Sequence, residues 1–327
     1  MRDFSYVRAN SQAEAGKAAQ QAGAMLLAGG TTLLDLAKCG VTEPDTVVDI
    51  THIAGMNAIV VDAGGARIGA LAKMSDVADH RDIRAAFPAV SESLSLAASA
   101  QLRNMATIGG NLLQRTRCSY FRDPGAFSAC NKRNPGSGCS AIGGVTRNHA
   151  VLGTSDACIA SYPGDLAVAL VAFDATIDTD SRKATVDDFF LCPGDTPDKE
   201  TILQRGEIIT AVGIPATAAA RNSTYLKIRD RQSYEFAAAS AAVGLELEAD
   251  GRTVRDIRVA LGGVATRPWR AREVEQALVG KALDVELVKK ASRLAMEGAV
   301  SHGGNHYKIE LAPRVIARAI LKMGGLV

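Results

Sequence analysis

The chain has 327 residues, a formal net charge of +2 and only 22% charged side chains. That balance gives no electrostatic case for nucleic acid or an anionic membrane as partner, and no apolar run approaches the ~20 residues of a membrane span. The length suffices for two domains with a substantial core. Six cysteines in a chain with no visible secretory signal favour metal or redox chemistry over a disulfide framework, with the cytoplasm as default compartment.

Residues 3–8 predict a short strand. A helix follows from Ser11, which can cap it with Glu14 three residues on, and Gly23 closes it. AMLL at 24–27 predicts a strand that turns at Gly29-Gly30 into a helix. Thr31 or Thr32 can cap that helix while the glycine amides stay open to a ligand oxygen. DTVVDI at 45–50 predicts a strand, and 56–71 a hairpin turning at Ala63-Gly64-Gly65. Residues 73–104 carry two helical patterns split at Phe87-Pro88, the second running straight into TIGGN at 107–111. Beyond the cysteine-bearing segment, 161–180 predicts a turn, an apolar helix or strand, and an alternating strand. Residues 184–201 read as loop, 207–215 as strand and 216–223 as a linker. The C-terminal third predicts strands at 223–231 and 236–248, a strand pair over 253–271, and three amphipathic helices. Strands followed by helices make an α+β fold rather than a doubly wound parallel sheet.

Two constellations carry chemistry. The first is a pair of glycine turns, AGGTTLLDL at 28–36 and ATIGGNLLQ at 106–114. Glycine lets backbone N–H groups approach a pyrophosphate closely, although either turn alone is also an ordinary helix end. Neither is a Rossmann fingerprint or a P-loop. The second is a set of four cysteines, Cys118, Cys130, Cys139 and Cys158, separated by 11, 8 and 18 residues. The absence of C-x-x-C pairs disfavours a zinc finger, whereas four thiolates in a glycine- and proline-rich loop suit an Fe–S cluster. The alternative is a loop of unrelated buried thiols. PGSGC at 135–139 offers flexible backbone, and Arg115, Arg117, Lys132 and Arg133 offer positive charge to offset a cluster. Cys39 and Cys192 stand apart as inert thiols. His52, His80, His149, His302 and His306 show no metal-binding spacing. Asp165 either accepts hydrogen bonds from a ligand or caps the following helix. Lys227 and Tyr234 either face a cofactor or lie on a solvated strand.

AGGTTLLDL, ATIGGN, PGDLAVALVAFDA, LKIRDRQSYEFAAAS, LGGVATRPWRA and YKIELAPRVIARA, in that order, resemble the FAD-binding medium subunit of the molybdenum hydroxylases. That family includes xanthine dehydrogenases, carbon monoxide dehydrogenases and aldehyde oxidoreductases, and the resemblance covers essentially the whole chain. The insert with QRTRC, CNKRNPGSGC, HAVLG and SDAC is similar to the [4Fe–4S]-bearing FAD subunits of bacterial periplasmic aldehyde oxidoreductases. The resemblance implies a two-lobed PCMH-like FAD-binding domain over 1–218, with a cluster insert at about 112–160, and an α+β flavoprotein domain over 219–327. It implies that Ala28, Gly29, Gly30, Thr31, Thr32, Leu33 and Leu34, with Thr107, Ile108, Gly109, Gly110 and Asn111, wrap the FAD pyrophosphate. Asp165 and Lys227 match an acidic and a basic residue near the flavin, and the four clustered cysteines match the ligands of a [4Fe–4S] cluster. A lysine present near the flavin in the xanthine dehydrogenase branch is absent here, where Ala237-Ala238 stands.

The implied role is electron transfer beside a molybdenum-cofactor large subunit that oxidises an aldehyde and a [2Fe–2S] small subunit, with delivery to an external acceptor. Export with a signal-bearing partner would make the chain periplasmic. Rival readings are the FAD subunit of a 4-hydroxybenzoyl-CoA reductase-like or xanthine dehydrogenase-like enzyme and, from another class, a zinc-stabilised binding module.

Overall fold

The computed structural model describes all of residues 1–327. Three short strands, β1 (Ser5–Arg8), β2 (Ala24–Leu27) and β3 (Thr46–Asp49), form a parallel sheet in the order β1-β3-β2. Ser11 caps the first helix (Gln12–Ala19) by accepting from the Glu14 amide, as its spacing predicts. β4 (Ile59–Asp62), β5 (Gly65–Gly69), β6 (Thr176–Thr179), β7 (Lys183–Thr185) and β8 (Ile209–Pro215) make a five-stranded sheet, ordered β4-β5-β8-β6-β7 with every pair antiparallel. The third sheet joins β9 (Ser223–Ile228), β10 (Ala239–Leu247), β11 (Val254–Gly262) and β12 (Trp269–Arg270) in antiparallel order β12-β11-β10-β9. Small parallel and larger antiparallel sheets with peripheral helices are the α+β class that the sequence predicts.

The two faces of β10 belong to different cores. Ala239, Ala241, Val243 and Leu245 point into the core that includes the C-terminal helices, whereas Ala242 joins the N-terminal one. Period-2 alternation between two buried faces explains a strand with almost no polar residues. Small residues on the second face admit helices at close range. A Cβ on Gly244 would stand 2.4 Å from the Ala219 carbonyl oxygen, and one on Gly262 would stand 2.6 Å from Val168.

Three expectations change. The two helical patterns over 73–104 resolve into helices Met74–Asp79, Arg81–Ala86, Pro88–Ser95 and Ala100–Met105. Pro88 starts a helix, at the position where its missing N–H costs nothing. Ala98 at φ 47 breaks the run before TIGGN. The stretch read as loop at 184–201 opens with strand β7 and a helical turn, Val186–Phe189, before becoming irregular. The supposed linker at 216–223 contains helix Ala218–Arg221, and Ala219 and Ala220 are fully buried against the third sheet.

The cysteine-bearing loop is fastened to the C-terminal third. The amides of Val151 and Leu152 both donate to Val264 O, and Val151 and Leu152 lie in the second core. Asn305 Nδ2 donates to Ala150 O (2.8 Å), and Thr146 Oγ1 donates to His302 O (2.8 Å).

Candidate functional site

β2 delivers the chain to Ala28, and the turn through Gly29, Gly30, Thr31 and Thr32 leads into helix Leu33–Lys38. The amides of Gly29, Gly30, Thr31, Thr32 and Leu33 donate to no acceptor within the chain. Five consecutive unpaired N–H groups form a nest with fixed partial positive charge, suited to the oxygens of a pyrophosphate. Gly30 reaches φ +72, which favours glycine. Thr32 occupies the cap position but makes no capping bond, so neither threonine closes the cradle. A Cβ on Gly29 would stand 2.2 Å from Met105 O, so the first turn lies directly against the chain entering the second.

The second turn is built differently. Ile108 N donates to Ala72 O (3.0 Å), Gly109 N to Ala70 O (2.8 Å) and Asn111 N to Thr107 O (2.8 Å), while Thr107 Oγ1 accepts from Gly110 N (3.3 Å). These amides are committed, so this turn is no open backbone cradle. What it presents instead is Asn111, whose Oδ1 is buried without a partner and whose Nδ2 meets only Met74 Sδ, at 3.4 Å. Gly109 keeps the turn against Ala70, where a Cβ would meet Ala70 Cβ at 3.0 Å.

Asp165 and Lys227 come together. Lys227 Nζ lies 2.8 Å from Asp165 Oδ2, with side chains 1% and 5% exposed. Tyr225 OH donates to Asp165 Oδ1 (2.7 Å), and Lys227 also donates to Leu96 O (3.1 Å). Asp165 does not cap helix Leu166–Ala172. Burial pushes its carboxyl pKa up, against the opposing pull of Lys227 and Tyr225. The pair ties β9 to the start of that helix. Tyr162 OH in turn donates to Leu112 O (3.1 Å), linking the same segment to the second glycine turn. Tyr234 is exposed, with φ 52.

Cys118, Cys130, Cys139 and Cys158 all line one small interior cavity with Tyr120, Phe121 and Ala141. Cys130 and Cys139 bridge as antiparallel neighbours, and Gly136 and Gly138 turn the loop between them at φ +85 and +93. Burial pushes the Cys118 thiol up to about 12 and raises Cys158, which Lys132 partly offsets. In an apolar wall of this kind the thiolate form needs a cation between the sulfurs, which is what a metal cluster supplies. The cavity between them holds about 10 Å³, about one water's need. No three His, Cys, Asp or Glu side chains converge on a point suited to a single metal ion.

The neighbouring cations are engaged elsewhere. Arg115 (2.5 Å) and Lys132 (2.9 Å) both bind Glu200, Arg117 and Arg122 bind Asp35, and Arg133 ties the loop through Tyr120 O and Phe121 O. Their role is to hold the loop's shape, more than to supply free charge. Cys39 and Cys192 are exposed and do not line that cavity. His149, read from the sequence as an unremarkable histidine, has Nε2 3.2 Å from Cys118 Sγ. Its only sequence signal was its place in HAVLG, inside the insert.

Residues 2–217 match the FAD-binding domain in molybdopterin dehydrogenase, and 224–323 match the CO dehydrogenase flavoprotein C-terminal domain. The chain belongs to the FAD-binding subunits of the molybdopterin dehydrogenases. This FAD subunit is 43% identical over 326 residues to the aldehyde oxidoreductase FAD-binding subunit of Escherichia coli, covering 98% of both chains. It is 29% identical to the glyceraldehyde dehydrogenase medium chain of Sulfolobus acidocaldarius, covering 88% of this chain and 85% of the relative. Its fold superposes on the carbon monoxide dehydrogenase of Hydrogenophaga pseudoflava with a TM-score of 0.75 at 25% identity, covering 98% and 96% of the two chains. The FAD subunit is thus an oxidoreductase component of the molybdenum hydroxylase type, with the molybdenum site on another chain. No helix is long and apolar enough to cross a membrane.

Proposed function

We propose that this chain is the FAD- and [4Fe–4S]-containing electron-transfer subunit of a molybdenum-dependent aldehyde oxidoreductase. The observation that carries the cluster is the meeting of Cys118, Cys130, Cys139 and Cys158 at one buried cavity, across 41 residues of loop. Spacing without C-x-x-C pairs disfavours a tetrahedral zinc site, and four thiolates suit an Fe–S cluster. The aldehyde class rests on similarity to the E. coli subunit over both chains' length.

The Gly29–Leu33 amides hold the FAD pyrophosphate, with Asn111 supplying a side-chain partner at its edge. Asp165 and Lys227 brace the wall behind the flavin, because their charged atoms are already bonded to each other. FAD accepts electrons singly and releases them in pairs, which suits a subunit between one-electron clusters and an external acceptor. The partners are a molybdenum-cofactor large subunit and a [2Fe–2S] small subunit. The domain boundary falls near 218, with the cysteine loop fastened to the second core through Val151 and Leu152.

The test is the anaerobic absorption spectrum of the subunit, purified with its partners and then separated, before and after dithionite. Flavin bands over a broad shoulder, both bleaching on reduction, are expected. Flavin bands with no iron or sulfide would refute the cluster. A chain with neither would refute the whole reading.

A further inference from the structure

His149 lies outside the four-cysteine set, and its role rests on the cluster reading above. Among the cage cysteines only Cys118 has a side-chain hydrogen-bond partner, and that partner is His149 Nε2 at 3.2 Å from Sγ. The ring is 4% exposed and cannot easily swing away. His149 N donates to Thr146 O (2.9 Å), and the next residue is clamped on both sides, with Ala150 N donating to Ile159 O (2.9 Å) and Asn305 Nδ2 donating to Ala150 O. Tyr120 packs at a centroid distance of 6.0 Å.

The other ring nitrogen decides the direction of the hydrogen bond. His149 Nδ1 is buried and has no partner. If Cys118 carried the proton and donated it, the neutral ring would hold its own proton on Nδ1, leaving a buried N–H unpaired. If the proton sits on Nε2, Cys118 sulfur accepts and only a lone pair is left over. Buried orphan N–H groups are the rarer of the two in folded proteins. The arrangement is therefore built for a sulfur that accepts, as a metal-bound thiolate does and a thiol does poorly.

We propose that His149 is the positioning residue of Cys118, donating Nε2–H to the ligating sulfur and raising the reduction potential of the iron–sulfur cluster. Reduction adds one electron and one negative charge to the cluster, no bond is made or broken, and the proton stays on Nε2. A donor aimed at a ligand sulfur stabilises the more negative form, and hydrogen bonds to the sulfurs are among the settings of cluster potential. Cys118 also lines a second cavity, with Ser161, Tyr162 and Gly263.

The experiment uses the assembled complex and a reductive titration followed by electron paramagnetic resonance. His149→Phe keeps a ring against Tyr120 but removes the donor, and His149→Gln keeps an N–H. His149→Phe is expected to retain native iron and sulfide, while its ratio of reduced to oxidised cluster at fixed potential falls about tenfold, a shift of about 59 mV downward for one electron. His149→Gln is expected to recover most of that shift. A loaded His149→Phe protein with an unchanged potential overturns the proposal. Should His149→Phe fail to load, the unmutated complex decides. Histidine labelled with ¹⁵N should couple magnetically to the reduced cluster, and the absence of any such coupling overturns the assignment. Iron and sulfide analysis of the unmutated chain separates the two levels, since a chain without cluster refutes the reading beneath the proposal and not merely the role of His149.

Discussion

Replacing Gly29 with alanine should strip the chain of FAD while leaving the cysteine loop intact. An added Cβ would lie 2.2 Å from Met105 O, 2.8 Å from its carbon and 2.9 Å from Ala106 Cα, where ordinary contact begins at 3.4 Å. All three atoms are backbone, so no side chain can step aside. Met105 O is also held by Lys73 Nζ at 3.0 Å, which resists its withdrawal. The two glycine turns must then part by more than 1 Å, carrying the Gly29–Leu33 amides off the pyrophosphate. Hydrogen bonds to a charged group contribute about 1.5–3 kcal/mol each. Losing two weakens FAD binding by about 3–6 kcal/mol, or roughly 10² to 10⁴-fold in Kd. The overpacking itself costs about 1–3 kcal/mol of stability, leaving a folded domain in which to measure the effect. The assay is flavin fluorescence quenching on titrating FAD into deflavinated protein, with iron content and Tm measured in parallel. Gly29→Ala that binds FAD with native Kd would refute the nest as the pyrophosphate site. Gly110, beside which only Thr107 Oγ1 stands within 4 Å (at 3.0 Å), should tolerate alanine far better. Cys130→Ser should show the reverse pattern, with iron lost and FAD retained.

Asp165→Asn leaves the Lys227 ammonium buried without its counter-charge, and should destabilise the chain by about 3–5 kcal/mol in urea unfolding. Adding Lys227→Met should restore a large part of that loss; if the double variant is no more stable than Asp165→Asn, the ion pair is not the source. Glu207 is held down at about 2 by Arg182, with help from Thr179 and the Gln204 amide, against an ordinary value of about 4.3. A depressed carboxyl stabilises the fold fully above its unfolded pKa and loses that contribution as pH falls toward 2. Thermal unfolding of Glu207→Gln between pH 5 and 2 (a window set by about these two values) should therefore show a shallower decline than the native chain. An identical decline would mean that Glu207 is no better paired folded than unfolded.

Much of this site is legible in the sequence because glycine adjacency has few physical meanings. Gly29-Gly30 after an apolar run marks a turn with open amides, and the structure leaves those amides free. ATIGGN looks alike but differs, because Ala70 and Ala72, met across a β-bridge that no local pattern reveals, accept the Gly109 and Ile108 amides. Alanine-rich 216–223 has the composition of a linker. Its burial depends on Gly244, which is remote in sequence and whose missing side chain makes room for Ala219. Cysteine spacing suggests a cage but cannot say which sulfur has a neighbour. His149 is invisible for the same reason, since 31 residues separate it from Cys118 and only the folded loop closes the gap.

The fastening of the cysteine loop to the C-terminal third fixes an order of events during synthesis. Cys158 leaves the ribosome long before Val264, which takes the amides of Val151 and Leu152, and before Asn305, which clamps Ala150. Until those last segments emerge, the polypeptide around His149 lacks the anchors that Val264, His302 and Asn305 provide. The cysteine pocket therefore matures only when translation is nearly finished, and a chain truncated before residue 305 would present its thiols as loose, solvent-reachable and open to oxidation.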